Sequence, residues 1–418
     1  MPFTALGLSA PLLKALAARH YLEPTPVQSA AIPAVLAGSD VRACAQTGSG
    51  KTAAFILPIL QQWMEASRQS PRRVHALILV PTRELAAQIG ESIRHYSSHL
   101  AEPVKTICVF GGVSINPQMM RLRGGADIVV ATPGRLLDLV EHNAVRLSDI
   151  STLVLDEADR LLDLGFADEL GRVLSLLPAR RQNLLFSATF PPAVETLAEA
   201  FLHDPTRIEI AAAPETTPDI EQRAIETDVP RRTQLLRHLI QTSGWTRVLV
   251  FVATKYATEH VSDKLRKLGI RAAPFHGELS QSARTMALED FKASLIHVLV
   301  ATDLAARGID IAHLPVVVNY DLPRSAFDYT HRIGRTGRAG ESGIAVNFIT
   351  AENHAHFALI EKRNGVSMPR EQVPGFEPEM IETRLQPLNG GIKGKRKSKK
   401  DKLREAAAAE AARKQPIS

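Results

Sequence analysis

Val41-Arg42-Ala43-Cys44-Ala45-Gln46-Thr47-Gly48-Ser49-Gly50-Lys51-Thr52 leads directly into the apolar segment 53–60, and the reading of this stretch decides the fold. Residues 41–44 have the composition of a short buried strand, and 53–60 that of a buried helix. A glycine-bearing loop between strand and helix makes an anion cradle. Its backbone N–H groups, supplied by Gln46, Thr47, Gly48, Ser49 and Gly50, converge where the positive end of the helix dipole points. Gly48 and Gly50 permit the tight wrap, Lys51 neutralises the β and γ phosphates, and the Thr52 hydroxyl can ligate Mg²⁺. The general pattern has Gly where this chain has Ala45, but the remaining Gly-x-Gly-Lys-Thr is intact. A glycine turn without function is the bland alternative, and the strand before and helix after weigh against it.

Outward from this loop, short β-branched runs alternate with longer helical patterns. The expected strands are 41–44, 76–80, 107–110, 128–131, 153–155 and 184–186, then 248–252, 297–301, 316–318 and 344–348. That rhythm implies βαβ units and a parallel sheet. Residues 211–218, rich in Ala, Pro and Thr, read as an interdomain linker. The halves echo one another: 79–83 (Leu-Val-Pro-Thr-Arg) resembles 251–255 (Phe-Val-Ala-Thr-Lys), and 129–132 resembles 299–302. A duplicated α/β domain is expected, with a Thr after a buried strand in each echo. Ligands of open parallel sheets bind beyond the carboxyl ends of the strands, so both halves should carry sites on equivalent edges.

Bulk properties narrow the class. The chain has 418 residues, 45% hydrophobic and 22% charged, which suits two soluble domains and excludes a membrane-spanning helix. Net charge is +6, but ten Lys or Arg against three acids fall in 390–418, so the basicity belongs to the tail. That tail, with Lys393, Lys395, Arg396, Lys397, Lys399 and Lys400, has no apolar stripe and reads as disordered. A nucleic-acid tether is the expected role, with a nuclear-import signal or a solubility aid as alternatives. Cys44 and Cys108 lie in apolar runs without a partner at metal-ligand spacing, so buried thiols in a reducing compartment are expected. The first 22 residues hold no acid, as in a transit peptide, but Ser9 before Leu12, Leu13 and Leu16 reads as a capped, folded helix.

Asp156-Glu157-Ala158-Asp159 follows the apolar run 153–155. An acid at the end of a buried strand beside a phosphate loop suits Mg²⁺ coordination, and the next acid can orient or deprotonate an attacking water. Asp156 and Glu157 are assigned these roles; standing alone, the tetrapeptide would read as acids capping a helix. His331-Arg332-Ile333-Gly334-Arg335-Thr336-Gly337-Arg338 is a polar, glycine-punctuated basic loop whose bland reading is a solvated turn.

These motifs occur in series across residues 3–338, and in that order they resemble the DEAD-box ATP-dependent RNA helicase family, with a similarity to its bacterial RhlE-type branch that includes 159–166. The resemblance implies two tandem RecA-like domains: 1–210 binding ATP, 211–218 a linker, 219–370 the helicase C-terminal domain, and 371–418 an extension and basic tail. It makes Pro24-Thr25-Pro26-Val27-Gln28 an adenine-reading motif, with Gln28 on the base edge and Phe3 stacked upon it. The family usually has Gly where His20 stands. By the same resemblance Thr82, Arg83, Gly112, Thr132 and Arg135 in the first half, and Gly277, Arg284 and Thr302 in the second, contact RNA. Ser187, Thr189 and His331 couple hydrolysis to RNA binding, Asp310 meets the ATP ribose, and Arg335 and Arg338 reach the γ-phosphate across the cleft.

The implied function is local RNA duplex separation driven by ATP with Mg²⁺, in the cytoplasm, by a monomer whose partners are RNA and ribosomal or RNA-decay proteins, with no membrane contact. Aromatic residues are only 5% of the chain, so a backbone grip is expected rather than aromatic base platforms. Neutralising about five phosphates would give a log–log salt slope of about −3.5. Two other readings stand beside it: an ATP-gated RNA clamp or chaperone with little unwinding, and a DNA-translocating ATPase. Gln28 and the complete Asp-Glu-Ala-Asp string weigh against the second.

Overall fold

A computed structural model describes residues 2–46, 48–66, 70–210, 220–306, 314–337 and 342–379. The linker 211–218, Thr47, Asp310, Arg338 and the basic tail lie outside the described residues. One sheet is built from β1 (Val41–Cys44), β2 (Ala76–Leu79), β3 (Thr106–Val109), β4 (Ile128–Ala131), β5 (Thr152–Asp156), β6 (Gln182–Ser187) and β7 (Thr206–Glu209), in the order β3-β4-β2-β5-β6-β1-β7. The other contains β8 (Ile220–Glu226), β9 (Val248–Phe251), β10 (Ala272–Phe275), β11 (Val298–Ala301), β12 (Val316–Asn319), β13 (Gly343–Ile349) and β14 (Arg370–Glu371), in the order β10-β11-β9-β12-β13-β8-β14. All pairings between these strands are parallel.

Adding seven to each strand number of the first sheet gives the second sheet. β2 and β4, whose ends carry the two sequence echoes, correspond to β9 and β11, so the echoes mark equivalent places in two copies of one fold. Period-2 alternation divides each sheet between two cores. In the first, Ile78, Val130, Val154 and Leu184 face one helical layer, and Leu77, Leu79, Val129, Leu153 and Leu155 face the other. In the second, Val248, Val250, Val298 and Val318 separate in the same way from Leu249, Leu299 and Val317. Central strands are thus covered on both faces, which is why they read as continuous apolar runs.

Strands β7, β8, β10 and β14 lay below the sequence signal. Three of them are edges, where less burial is demanded. Pro274 sits in β10, the outermost strand of its sheet, where a missing N–H costs no interior hydrogen bond. β8 reads Ile-Glu-Gln-Arg-Ala-Ile-Glu, with only Ala224 and Ile225 fully buried.

The N-terminal segment packs onto the first core. Phe3, Leu6, Leu8, Leu12 and Leu16 are all buried there. Ser9 occupies the cap position of the helix Ala10–Ala17, but its hydroxyl makes no cap bond; its N–H donates instead to Gln61 Oε1 at 3.0 Å. His20 has φ 58°, which explains why glycine suits this position. A left-handed conformation costs a side-chain-bearing residue about 1–2 kcal/mol, so His20→Gly is expected to raise stability by about 1 kcal/mol in denaturant unfolding. No gain would mean that the Arg19–His95 and Tyr21 contacts around it hold the turn regardless.

Both cysteines are free and half-buried rather than fully enclosed. Burial pushes the Cys108 thiol up to about 11, and its Sγ lies where a Cβ on Gly90 would stand 2.3 Å away. Packing of the second unit continues past residue 370: Val373 and Phe376 join its core, and Glu379 N–H donates to Asp228 Oδ2 at 2.8 Å. Among the described residues, no helix is long and apolar enough to cross a membrane.

Candidate nucleotide and nucleic-acid site

Because every strand in a sheet runs the same way, all carboxyl ends open on one edge. At that edge of the first sheet β1 passes into the loop 45–50, where Gly48 and Gly50 have φ of 86° and 94°. A Cβ on Gly50 would stand 2.4 Å from Gln28 Nε2, so glycine is required by backbone and neighbour alike. Gln28 is a strut: Nε2 donates to Gly50 O at 3.1 Å, and Oε1 accepts from Thr25 N at 3.0 Å. One amide N–H and one lone pair remain for a further partner. Phe3 is 5% exposed and packs in the first core, so little of its ring is open for stacking. Ser49 Oγ donates to Gln46 O at 2.7 Å. Lys51 is buried and donates to Ala45 O at 2.5 Å; desolvation lowers its pKa, opposed by Asp156 and Glu157.

The acids face this loop from the end of β5. Burial pushes the Asp156 carboxyl up to about 7, with Lys51 the main opposing influence. Glu157 sits at φ 52°, a left-handed residue without the freedom of glycine, and Arg160 Nη1 donates to its Oε2 at 2.9 Å. Asp159 Oδ2 accepts from Thr189 N at 3.1 Å and from Thr189 Oγ1 at 2.8 Å. Ser187 Oγ accepts from Asp159 N and donates to Thr189 O. Residues 187–189 are therefore fastened to the acidic tetrapeptide.

These residues fit a Mg²⁺–phosphate group. A buried carboxylate brought close to neutrality regains its charge beside a cation, and a buried ammonium gains from an anion. Mg²⁺ takes one or two carboxylates, completing its shell with phosphate oxygens and water. Asp156 and Thr52 are the protein ligands on offer.

The second unit meets this edge with the helix Ala326–Ile333 and the turn after it. Arg332 is 3% exposed: Nε and Nη2 clasp Asp303 at 2.6 and 2.7 Å, Nη1 reaches Asn319 Oδ1 and Asp321 O, and the guanidinium lies over Phe251. This clasp fixes the helix that carries His331 and leads to Arg335. A cleft between the units is lined by Arg160 and Asp163 from the first and by Asp303, His331, Arg332 and Arg335 from the second.

Desolvation first, then Arg160 and Arg335, press the His331 pKa down to about 4, against Asp159 and Asp328. Its folded pKa is below its ordinary value of 6.5. The neutral ring's contribution to stability is therefore present above pH 6.5 and lost as pH falls from there toward 4. His331→Gln is expected to flatten the fall in melting temperature across that window; an unchanged slope would place the acid sensitivity elsewhere.

The remaining expected residues divide into two groups. Thr82 caps the helix Arg83–Tyr96, its Oγ1 accepting from Leu85 N at 3.2 Å, and Thr302 Oγ1 accepts from Ala305 N at 3.4 Å. Thr132 precedes the helix Pro133–Glu141. Gly112, at φ 77°, makes room for Arg83, whose Nη1 would be 2.5 Å from a Cβ there. Arg83 Nη2 donates across the units to Gly277 O at 3.3 Å. Arg135 Nη2 donates to Val113 O at 2.8 Å, while its Nη1, His276 Nδ1 and Gln281 Oε1 are buried atoms with no hydrogen-bond partner among the described residues. Such orphans cost about 1–3 kcal/mol each unless a ligand meets them.

Arg284, expected on RNA, also joins the two units. Its Nε donates to Glu84 Oε1 of the first unit at 2.8 Å, Nη1 donates to His276 O, and the guanidinium lies over Phe275. Glu84, Arg160, Asp303 and Arg332 were missed by sequence reasoning. Arg160 and Arg332 stand inside quoted stretches, but only burial distinguishes them from solvated charges.

Two parallel sheets of one order, with a phosphate loop on the first and a clasped arginine helix on the second facing Arg160 and Asp163 across a cleft, define a tandem RecA-like P-loop protein. Residues 25–197 match the DEAD/DEAH box helicase family, and 231–340 match the helicase conserved C-terminal domain. The chain belongs to the DEAD-box ATP-dependent RNA helicase family. It is 41% identical over 375 residues to ATP-dependent RNA helicase DeaD of Mycobacterium tuberculosis, covering 90% of this chain and 65% of that protein's length. It is 39% identical to DEAD-box ATP-dependent RNA helicase CshA of Bacillus cereus, covering 90% and 70%. The structure of Saccharomyces cerevisiae Dbp5 bound to RNA and ADP BeF₃ aligns with a TM-score of 0.76 at 32% identity, covering 88% of this chain and 95% of that one. These relatives carry DeaD, CshA and Dbp5 names, and none assigns the RhlE-type branch.

Proposed function

We propose that this chain is an ATP-dependent RNA helicase that grips RNA backbone across its two units and separates short duplexes locally. The observation that carries the reading is the cleft in which Arg160 and Asp163 of one unit face His331, Arg332 and Arg335 of the other. The proposed division is 1–210 for the ATP-binding unit, 211–218 for the linker, 219–370 for the second unit and 371–418 for the extension and basic tail. The loop 46–52 holds the triphosphate, with Lys51 on the β and γ phosphates, Gln28 and Phe3 at the adenine, and Asp310 at the ribose. Thr52 and Asp156 hold Mg²⁺, which when bound offsets phosphate charge. Glu157, steadied by Arg160, orients the attacking water and accepts its proton. Arg335 and Arg338 act only when the units close, so hydrolysis depends on whatever drives closure.

RNA spanning the two units drives it. Thr82, Arg83, Gly112, Thr132, Arg135, Gly277, Arg284 and Thr302 are the proposed backbone contacts, and Arg284 also joins the units through Glu84. A backbone path bent by closure excludes the complementary strand, and product release reopens the grip. The tail is an RNA tether, the setting cytoplasmic, the chain monomeric, and ribosomal or RNA-decay proteins its protein partners. Release of a labelled strand from a short RNA duplex with ATP but not ADP supports the reading. RNA binding with no release identifies an ATP-gated clamp instead.

Removing Arg284 takes from buried Glu84 its nearest cation, across the units at 2.7 Å, and leaves only Arg83 Nε at 3.7 Å among the described residues. Arg284→Ala is therefore expected to weaken RNA binding in the presence of ADP–beryllium fluoride by about 10²-fold. Adding Glu84→Ala should restore part of that loss. A double variant whose loss is the sum of the two single losses would show that the pair does not report closure.

A further inference from the structure

The helix Lys255–Lys267 starts at the carboxyl end of β9, on the edge shared with Gly277 and Thr302. Two contacts tie it to the loop 276–278: Lys255 pairs with Glu278, and His276 Nε2 lies 2.9 Å from Glu259 Oε1. Thr258, Val261, Ser262 and Leu265 are its buried side. Tyr256, His260, Lys264 and Lys267 follow at spacings of four, four and three on the exposed side, so they form one line along the helix. The line is about 16 Å long at 1.5 Å per residue.

Tyr256 is 74% exposed, and its ring stacks on His260 with centroids 5.8 Å apart and 13° between planes. A near-parallel ring pair open to water presents a flat face to a third ring. Lys264 and Lys267 have no ion-pair partner among the described residues, whereas Asp263 on the same helix is paired with Arg266. Tyr256 is also the only exposed large apolar side chain of this helix, so the surface lacks the aliphatic neighbours that a docked protein helix would need. Aromatic rings continuing into cations are the pattern with which proteins hold single-stranded nucleic acid.

We propose that this face is a second contact for single-stranded RNA. Bases leaving the central grip stack on Tyr256 and His260, and the following phosphates pass along Lys264 and Lys267. The proposal rests on the RNA reading above and extends it to flanking nucleotides, giving this chain a local exception to the pure backbone grip.

The test uses the full chain with ADP–beryllium fluoride and two labelled RNAs. One is long; the other is trimmed to the shortest strand that still stimulates ATP hydrolysis. Tyr256→Ala is expected to cut the affinity advantage of the long strand about tenfold, the effect of losing one stacked base, and Tyr256→Phe to keep it. Changing Lys264 and Lys267 together to alanine should make the long-strand salt slope shallower by about 1.4, as two phosphate contacts are lost. An undiminished long-strand advantage in Tyr256→Ala overturns the proposal, as does a surface that binds an acidic protein but no flanking RNA. If no RNA of any length stimulates hydrolysis, the RNA reading fails and this proposal with it.

Discussion

Arg335→Ala is expected to lower RNA-stimulated ATP turnover by about 10³ to 10⁵ while changing nucleotide affinity by less than about tenfold. The asymmetry follows from the structure. The phosphate loop, Lys51, Gln28 and Asp156 all belong to the first unit, and none of their described contacts involves Arg335. Arg335 lies in the second unit after the clasped helix, in the cleft opposite Arg160 and Asp163. On the proposed reading its charge joins the phosphate site through closure, and its loss should fall on the transition state more than on ground-state binding. Turnover and binding measured on the same preparation separate the two effects. Equal losses in both would assign Arg335 to ordinary nucleotide binding.

Glu157→Gln is expected to reduce turnover by about 10² to 10⁴, the usual worth of a positioned general base, while ATP and RNA stay bound. Gln has the shape of Glu and an oxygen that can still accept from Arg160, so the turn at φ 52° and the buried contact are kept. What is lost is the negative charge and the ability to take a proton. The variant should accumulate as a complex of RNA and unhydrolysed ATP, visible as slow RNA dissociation. Normal turnover in Glu157→Gln would pass the role to another group, and loss of ATP binding would make Glu157 part of the phosphate cradle.

The layout was legible in sequence because physics demands distinctive residues there. Strands covered on both faces must be apolar throughout, so β2, β4, β9 and β11 announced themselves, and their Thr-ended echoes marked the duplication. A loop that cradles phosphate needs glycine at left-handed φ, so Gly48 and Gly50 could be read directly. Edge strands carry no such demand, and β10 even contains Pro274. Contacts between the units were also hidden. Glu84 and Arg284 are 200 residues apart, and in sequence each is an ordinary surface charge on a helix. Arg284 could be placed near RNA by resemblance, yet only the fold shows its guanidinium turned toward Glu84. The line Tyr256, His260, Lys264 and Lys267 was written in the sequence at helical spacing, but without exposure it could equally have been a buried face.

The most direct test of the central claim is steady-state ATP hydrolysis by the full chain alone, with single-stranded RNA, and with DNA of the same sequence, using GTP as the nucleotide control. Closure over RNA as the condition for assembling the arginine cleft requires strong stimulation by RNA, little by DNA, and a preference for ATP. Equal stimulation by DNA, or hydrolysis that is already fast without nucleic acid, would contradict it.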